Sequence, residues 1–476
     1  MKHVDRIYID GGFVEPHGDE WYSLFNPTTE EQIGSVRLGD AVDARLGIAA
    51  AKKAFPAFAR TTKKERIELL RALYEAVSAR VDDLTEFTIE EYGAPTSRAI
   101  WTTRFAADAF LNAIKTLENY PLTRTIGNAG IVMEPVGVVG IITPWNANYG
   151  FICNKLATAL SAGCTCVIKP SEMSAIQTEA LTECLHAAGL PAGLFNIVTG
   201  RGDVVGAEFT ASPDIAKISF TGSTAVGKSI MRAGAETMKR VTLELGGKSP
   251  TIILDDADLD TAVALTIQGG MNNNGQACVN GTRVLIPRHL ADVFNGKLKA
   301  AVEALKVGDP RDPQTFLGPV VSQRQYDRVE SYIRAGIKAG ATLLTGGEGR
   351  PDGLQKGFFV KPTVFTRVTN DMTIAREEIF GPVLAVLTYE SEEEAIAIAN
   401  DTTYGLQAYV ISADHDRAVR VARQIEAGRV IINGAPHEPL APFGGFKQSG
   451  IGREYGVFGL ETFLEPKAIL GSVKTA

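Results

Sequence analysis

Between residues 61 and 92 apolar positions recur at three- and four-residue steps, Leu70, Leu73, Val77, Val81 and Leu84, with charged residues between them. That period lays them along one stripe of a helix, which Gly93 and Pro95 then end. The N-terminal third is mainly helical in this pattern. From Val136 the texture changes to short β-branched runs at 136–142, 164–169, 194–198, 216–220 and 240–243, alternating with helical stretches at 151–161, 175–188 and 225–238. Strands that are apolar on both faces and separated by helices predict a parallel sheet covered on both sides, the form of a nucleotide-binding domain.

A second alternating block follows Ser249-Pro250. Strands are predicted at 251–254, 283–286, 342–345, 383–387, 407–411 and 429–432, with helices starting at Asp258, His289, Ser322, Glu392 and Asp414. The fold class is therefore α/β, with two doubly wound parallel-sheet domains in succession. Two extended pieces, 120–135 and 458–476, fit neither.

Length and composition narrow the class. A chain of 476 residues exceeds one ordinary core, and 45% hydrophobic with 22% charged residues is the balance of a globular protein in water. The net charge of -7 argues against nucleic acid or an anionic membrane as partner. Charges interrupt the first ten residues where a signal peptide has its apolar run, and no stretch is apolar for long enough to span a bilayer. A cytoplasmic location is the expectation. Five cysteines are no disulfide framework, and the six histidines have no metal-ligand spacing with them, so no metal site is expected.

Gly222 to Ser229, G-S-T-A-V-G-K-S, fits the pattern of a nucleotide-triphosphate phosphate loop between a predicted strand and a predicted helix. Such a turn offers unpaired backbone N–H groups at the positive end of a helix, so it holds a dinucleotide pyrophosphate as readily. The motif identifies a phosphate rather than a reaction. A triphosphate hydrolase would need Lys228 on the transferred phosphate.

Four other segments carry candidate chemistry. Cys278 sits in the polar, glycine-rich run Asn272-Asn-Asn-Gly-Gln-Ala-Cys-Val-Asn-Gly281, read as an accessible loop, where a thiolate is a strong nucleophile. Glu244, at the end of an apolar strand before two glycines, is either a general base whose pKa burial raises or a turn-capping acid. Thr143-Pro-Trp-Asn146 lies at a strand's carboxyl end, where an amide can donate to an oxyanion, or forms only a turn. Lys169 and Glu172 either flank a ribose or form a surface ion pair.

Thr143-Pro-Trp-Asn, Lys169-Pro-Ser-Glu, Phe220-Thr-Gly-Ser-Thr, Glu244-Leu-Gly-Gly-Lys, Gly275-Gln-Ala-Cys, Glu377-Glu-Ile-Phe-Gly-Pro382 and Pro442-Phe-Gly-Gly-Phe-Lys-Gln-Ser-Gly450 stand in the order of the aldehyde dehydrogenase superfamily, which the chain resembles over essentially its whole length. The resemblance implies an NAD-dependent, hydrolytic enzyme: Cys278 attacks the aldehyde, the Asn146 amide and the Cys278 N–H hold the oxyanion, and Glu244 activates the water that cleaves the thioester. Lys155 and Glu454 match positions with supporting proton-transfer roles. Cofactor contacts fall by register on Trp145, Lys169, Ser171, Glu172, Gly222, Ser223, Gly227, Leu245, Glu378 and Phe380, with NAD preferred over NADP because Glu172 stands where a 2′-phosphate would lie.

The substrate pocket falls on Ala147, Phe151, Asn154, Val279, His437 and Phe443. Larger aromatics occupy the places of Ala147, Asn154 and His437 in several relatives, which implies a roomier, more polar tunnel here. The resemblance also divides the chain into an NAD-binding domain (1–119 and 136–246), a catalytic domain (247–457) and a small β oligomerisation arm (120–135 and 458–476), hence a homodimer or homotetramer. The rival functions are a phosphate-loop nucleotide hydrolase and a catalytically silent structural member of the same fold.

Overall fold

The structure is a computed structural model and describes residues 1–472. The predicted helix over 61–92 is two helices, Lys63–Ser78 and Val81–Tyr92, on which Leu70, Leu73, Val77 and Leu84 are buried. Thr62 and Glu65 cap the first reciprocally, and Gly93, left-handed at φ 77°, closes the second. A third helix, Thr96–Asn119, continues the helical third and packs on Asn148–Ala162.

The first sheet has eight strands. Their spatial order is Gly450–Ile451, Arg240–Glu244, Ile215–Thr221, Val138–Ile142, Thr165–Lys169, Phe195–Ile197, Ile7–Ile9 and Gly12–Val14. The five central strands are parallel, as their apolar runs predict, and Val138–Ile142 and Thr165–Lys169 are buried throughout. Burying each valine or isoleucine in such a strand contributes about 1.5–3 kcal/mol. The outer strands are antiparallel, so the sheet is mixed rather than purely parallel. These edge strands are two or three residues long, too short for the alternation that reveals a strand in sequence.

The second sheet runs Thr342–Thr345, Thr363–Thr366, Val383–Tyr389, Arg283–Pro287, Pro250–Ile253, Gln407–Ile411 and Arg429–Ile432, antiparallel only at its first pair. Thr363–Thr366, a four-residue strand with a threonine at each end, has no apolar run to announce it. The N-terminal segment forms a separate sheet from Lys2–Val4, Gln32–Arg37 and Trp21–Phe25. Thr123–Ile126, Ala129–Pro135 and Leu464–Leu470 form a fourth, antiparallel sheet. Of the predicted 458–476 extension, 458–461 lies in the helix Gly456–Glu461, whose Leu460 enters the core of the first sheet, and 473–476 lies outside the described residues.

Topology fixes where a ligand can sit. In the first sheet the strand order reverses between Val138–Ile142 and Ile215–Thr221, and the crevice outside the carboxyl ends of such a pair is the usual ligand site of an open parallel sheet. Pro144, Trp145 and Asn146 follow one of these strands; Gly222 and Ser223 follow the other. Glu244 ends the neighbouring strand, from which the chain crosses directly into Pro250–Ile253 of the second sheet. Cys278 precedes Arg283–Pro287, and Glu378 and Phe380 precede Val383–Tyr389. The amino edge of the second sheet thus faces the carboxyl edge of the first.

Candidate active site

A cleft of about 480 Å3 lies between these two edges, walled by Trp145, Asn146, Gly222, Ser223, Glu244 and Leu245 from one side and by Cys278, Glu378 and Phe380 from the other. Residues that the sequence places far apart therefore meet in one space. Six side chains on this wall are not marked by the sequence: Met173, and Val321, Ser322, Arg324, Gln325 and Arg328 around the helix Gln323–Lys338. They lie in or beside helices whose periodicity accounts for them as ordinary positions.

Cys278 is half-buried, but the run that carries it is neither loose nor solvated. Asn273, Asn274 and Gln276 are buried, and every one is spent on a hydrogen bond. Asn273 Nδ2 donates to the carbonyls of Asn146 and Gln276, and Asn274 Nδ2 to those of Gly93 and Pro319. Gln276 donates to the Tyr92 hydroxyl at 3.1 Å and accepts from the Val321 N–H. The polarity that reads as an exposed loop is an internal scaffold that fixes the cysteine. Asn273 and Asn274 take left-handed backbone angles, as does Gly275, where a Cβ would lie 2.1 Å from the Gly381 carbonyl carbon. Gly275→Ala is accordingly expected to displace the loop and lower kcat at least about tenfold, with a lowered melting temperature as the second readout.

Asn146 is buried and donates one amide N–H to the Gln276 carbonyl at 2.9 Å, an anchor that aims the other toward the cleft. The thiol of Cys278 has its pKa pushed up, first by burial and then by the carboxylates of Glu378 and Glu244. It rests protonated at neutral pH and needs a base. Glu244 is 3% exposed, and neither carboxylate oxygen makes a hydrogen bond among the described residues. Burial, and then repulsion from Glu454, raise its pKa well above the carboxylate range. A turn-capping acid would be bonded to backbone N–H groups, so the capping alternative falls. A carboxylate left unpaired beside a cleft is available to take a proton.

Lys155 and Glu454 are buried and paired with each other, and the lysine also donates to Ser219 at 3.2 Å. Lys169 donates to Glu172 at 3.1 Å, but the lysine is buried, so this is no surface pair. Ser171 caps the following turn through Met173 N–H. Glu378 accepts from the Gly247 N–H at 3.1 Å, and burial raises its pKa to about 7. A Cβ on Gly246 would lie 2.6 Å from Glu378 Oε2, which explains the first glycine after Leu245. Phe380, at φ 63°, stands edge-on to Trp145 with ring centroids 5.5 Å apart. Gly227 packs against Leu245 instead of facing the cleft.

Lys228, the lysine a triphosphate hydrolase would need on the transferred phosphate, is exposed and donates to Gln448 Oε1 at 2.9 Å. A profile of the aldehyde dehydrogenase family matches residues 13–469. The chain belongs to that family. A 3-succinoylsemialdehyde-pyridine dehydrogenase of a Pseudomonas species is 44% identical over 99% of each chain. Aldehyde dehydrogenase C of Pseudomonas syringae, solved as a mutant with NAD+ and octanal, superposes with a TM-score of 0.98 at 42% identity over 99% of this chain and 98% of that one. Betaine aldehyde dehydrogenase of Staphylococcus aureus, solved with NAD+, gives 0.94 at 37% over 98% and 94%. The reaction is the oxidation of an aldehyde to a carboxylic acid.

The predicted substrate pocket is only partly assembled at this cleft. Phe151 lines it. Asn154 turns to Glu454 at 3.4 Å and to a separate small cavity beside Tyr455. The Val279 carbonyl accepts from Tyr409, and Ala147 ends in the bend before the helix Asn148–Ala162. His437 and Phe443 lie in an aromatic cluster with Phe105 and Tyr455, and Trp101 stacks on Phe105. Phe105 and Tyr455 stand on either side of His437, so its surroundings are more apolar than the residue itself suggests.

Proposed function

We propose that the chain binds NAD in the cleft and oxidises its substrate through a covalent bond to Cys278. What carries the reading is one observation: a half-buried thiol, an unpaired buried carboxylate, an anchored amide and the turn at Gly222–Ser223 all open onto the same cavity. The fit to a dinucleotide rests on the N–H groups at the start of the helix Thr224–Gly234, the Glu172–Lys169 pair for a ribose, and Phe380 and Glu378 at the far end. NAD, when bound, supplies the acceptor for a hydride.

The chain's residues supply the rest. Glu244 takes the proton of Cys278, and the thiolate attacks the aldehyde carbon. The free Asn146 N–H and the Cys278 backbone N–H hold the resulting oxyanion of the thiohemiacetal. Glu244 then gives the thiol proton up to solvent, so that after oxidation to the thioester it is free to take one from the attacking water, and collapse releases the acid and the Cys278 thiolate. The Lys155–Glu454 pair lies next to Glu244 and offers a route for that proton. The experiment is an aldehyde panel scored by NADH absorbance with acid product quantified: one acid per NADH is expected, whereas aldehyde-independent NADH or no turnover of any aldehyde would overturn the reading.

Glu172 sets the cofactor preference. Its carboxylate would face the extra phosphate of NADP, and two like charges at about 4 Å in an effective dielectric near 20 repel by on the order of 4 kcal/mol before screening and the offset from Lys169, its ion-pair partner. Glu172→Ser is expected to raise the NADP to NAD ratio of kcat/KM by about tenfold or more; an unchanged ratio would show that the carboxylate points elsewhere. The antiparallel sheet ending in Leu464–Leu470 exposes Ile126, Ile469 and Leu470 at 62%, 45% and 77%. Exposed apolar side chains on this sheet support a homo-oligomer built through the arm.

A further inference from the structure

Arg429 begins the strand Arg429–Ile432 and pairs in register with Gln407, which sets its side chain on the same sheet face as Gln407 and Tyr409. That face leads to the reaction centre, because the Tyr409 hydroxyl donates to the carbonyl of Val279, next to Cys278. The guanidinium lies over the Phe443 ring at 5.0 Å. Phe443 in turn bridges Glu454 through both backbone N–H groups, and the residue after it, Gly444, lies so close to Glu244 that a Cβ there would stand 2.7 Å from Oε1.

Most of this cation is committed, but not all. Nη1 meets His437 Nδ1 at 3.2 Å, while Nη2 is buried and has no partner among the described residues. Since guanidinium only donates, His437 Nδ1 must accept, and the remaining ring nitrogen carries the hydrogen. Packing among the rings, and then the Arg429 charge, bring the His437 pKa down to about 4, so the imidazole is neutral at pH 7. His437 is itself exposed and stands between Phe105 and Tyr455 at 5.6 and 5.9 Å. The cluster therefore offers two donors and one positive charge, no carboxylate bonded to them, and apolar rings on either side.

We propose that Arg429 and His437 form a subsite for a carboxylate at the far end of the substrate, so that the preferred substrates are aldehydes bearing a remote carboxyl group, the ω-oxo acids. A carboxylate oxygen can accept from the unpartnered Arg429 Nη2–H beside the guanidinium charge, with His437 holding Nη1 in place, while the methylene chain lies against Phe443 and Tyr455. A plain alkyl aldehyde would leave the same buried donor unpaired and lose the charge-assisted bond. This deepens the aldehyde-oxidising reading and rests on it.

The test compares kcat/KM for butanal, hexanal and octanal with succinic, adipic and suberic semialdehydes, in the intact enzyme and in Arg429→Met. The expected result is a preference for the oxo acid over the methyl-ended aldehyde at one or more chain lengths, about tenfold to a hundredfold, carried mainly by KM. In Arg429→Met that ratio collapses toward one, and Arg429→Lys restores part of it. A preference for the methyl-ended aldehyde at every length, or a ratio that Arg429→Met leaves unchanged, overturns the subsite. Should the variant not fold, the wild-type ratio alone decides between these outcomes. Turnover of alkyl aldehydes without the preference sinks only this proposal; no turnover of any aldehyde sinks the reading on which it rests.

Discussion

Cys278→Ala is expected to lower aldehyde-dependent NADH formation by about 10^4-fold or more, to the limit of detection, while NAD still binds. The size follows from the site's construction. On the proposed mechanism Asn146 and the backbone around Cys278 would stabilise negative charge only on an oxygen held by a covalent bond to the sulfur, so removing the sulfur would idle them as well. The surrounding fold should tolerate the change, because the hydrogen bonds that shape the loop come from Asn273, Asn274 and Gln276 and none from the thiol. Quenching of tryptophan fluorescence by NAD reports on the cleft that Trp145 lines and checks that binding survives. Retention of even a hundredth of the activity would place the nucleophile elsewhere.

Glu244→Gln separates the two halves of the reaction. Glutamine keeps the size and a hydrogen-bonding group but cannot take a proton, so steady turnover is expected to fall by about a hundredfold or more. If Glu244 serves chiefly the hydrolytic half, a first burst of NADH approaching one per active site survives; if activation of Cys278 depends on it equally, the burst falls with the steady rate. The pH profile carries an independent sign. A base works only when ionised, and burial with the neighbouring Glu454 raises the pKa of Glu244 above the ordinary carboxylate range. Turnover of the intact enzyme should therefore climb with pH through that raised value, and this limb should vanish in Glu244→Gln. An unaltered limb would assign the ionisation to another group.

What the chain discloses before folding depends on how local its cause is. Strands such as Val138–Ile142 and Thr165–Lys169 are legible because both faces are buried and the β-branched run is continuous. Gly450–Ile451 is invisible by the same logic: two residues acquire strand character only by pairing with Leu243 and Glu244, some two hundred positions earlier. Cys278 and Glu244 stand out by residue type and setting, whereas Arg324, Gln325 and Arg328 reach the cleft only through the way their helix is placed. The polar run before Cys278 misleads in an instructive way. Its asparagines and glutamine look solvated because their partners, Tyr92, Gly93, Asn146 and Pro319, lie in distant segments. Likewise Lys228 completes a phosphate-binding pattern in sequence, and its bond to Gln448 exists only in three dimensions.

The covalent mechanism is tested most directly by mass spectrometry of Glu244→Gln quenched after brief mixing with NAD and octanal. The mass should rise by one octanoyl group, and peptide mapping should put that group on Cys278 and on none of the buried cysteines 153, 164, 166 and 184. An unmodified enzyme that has nonetheless released NADH and octanoate, or an acyl group on any other residue, would contradict the account.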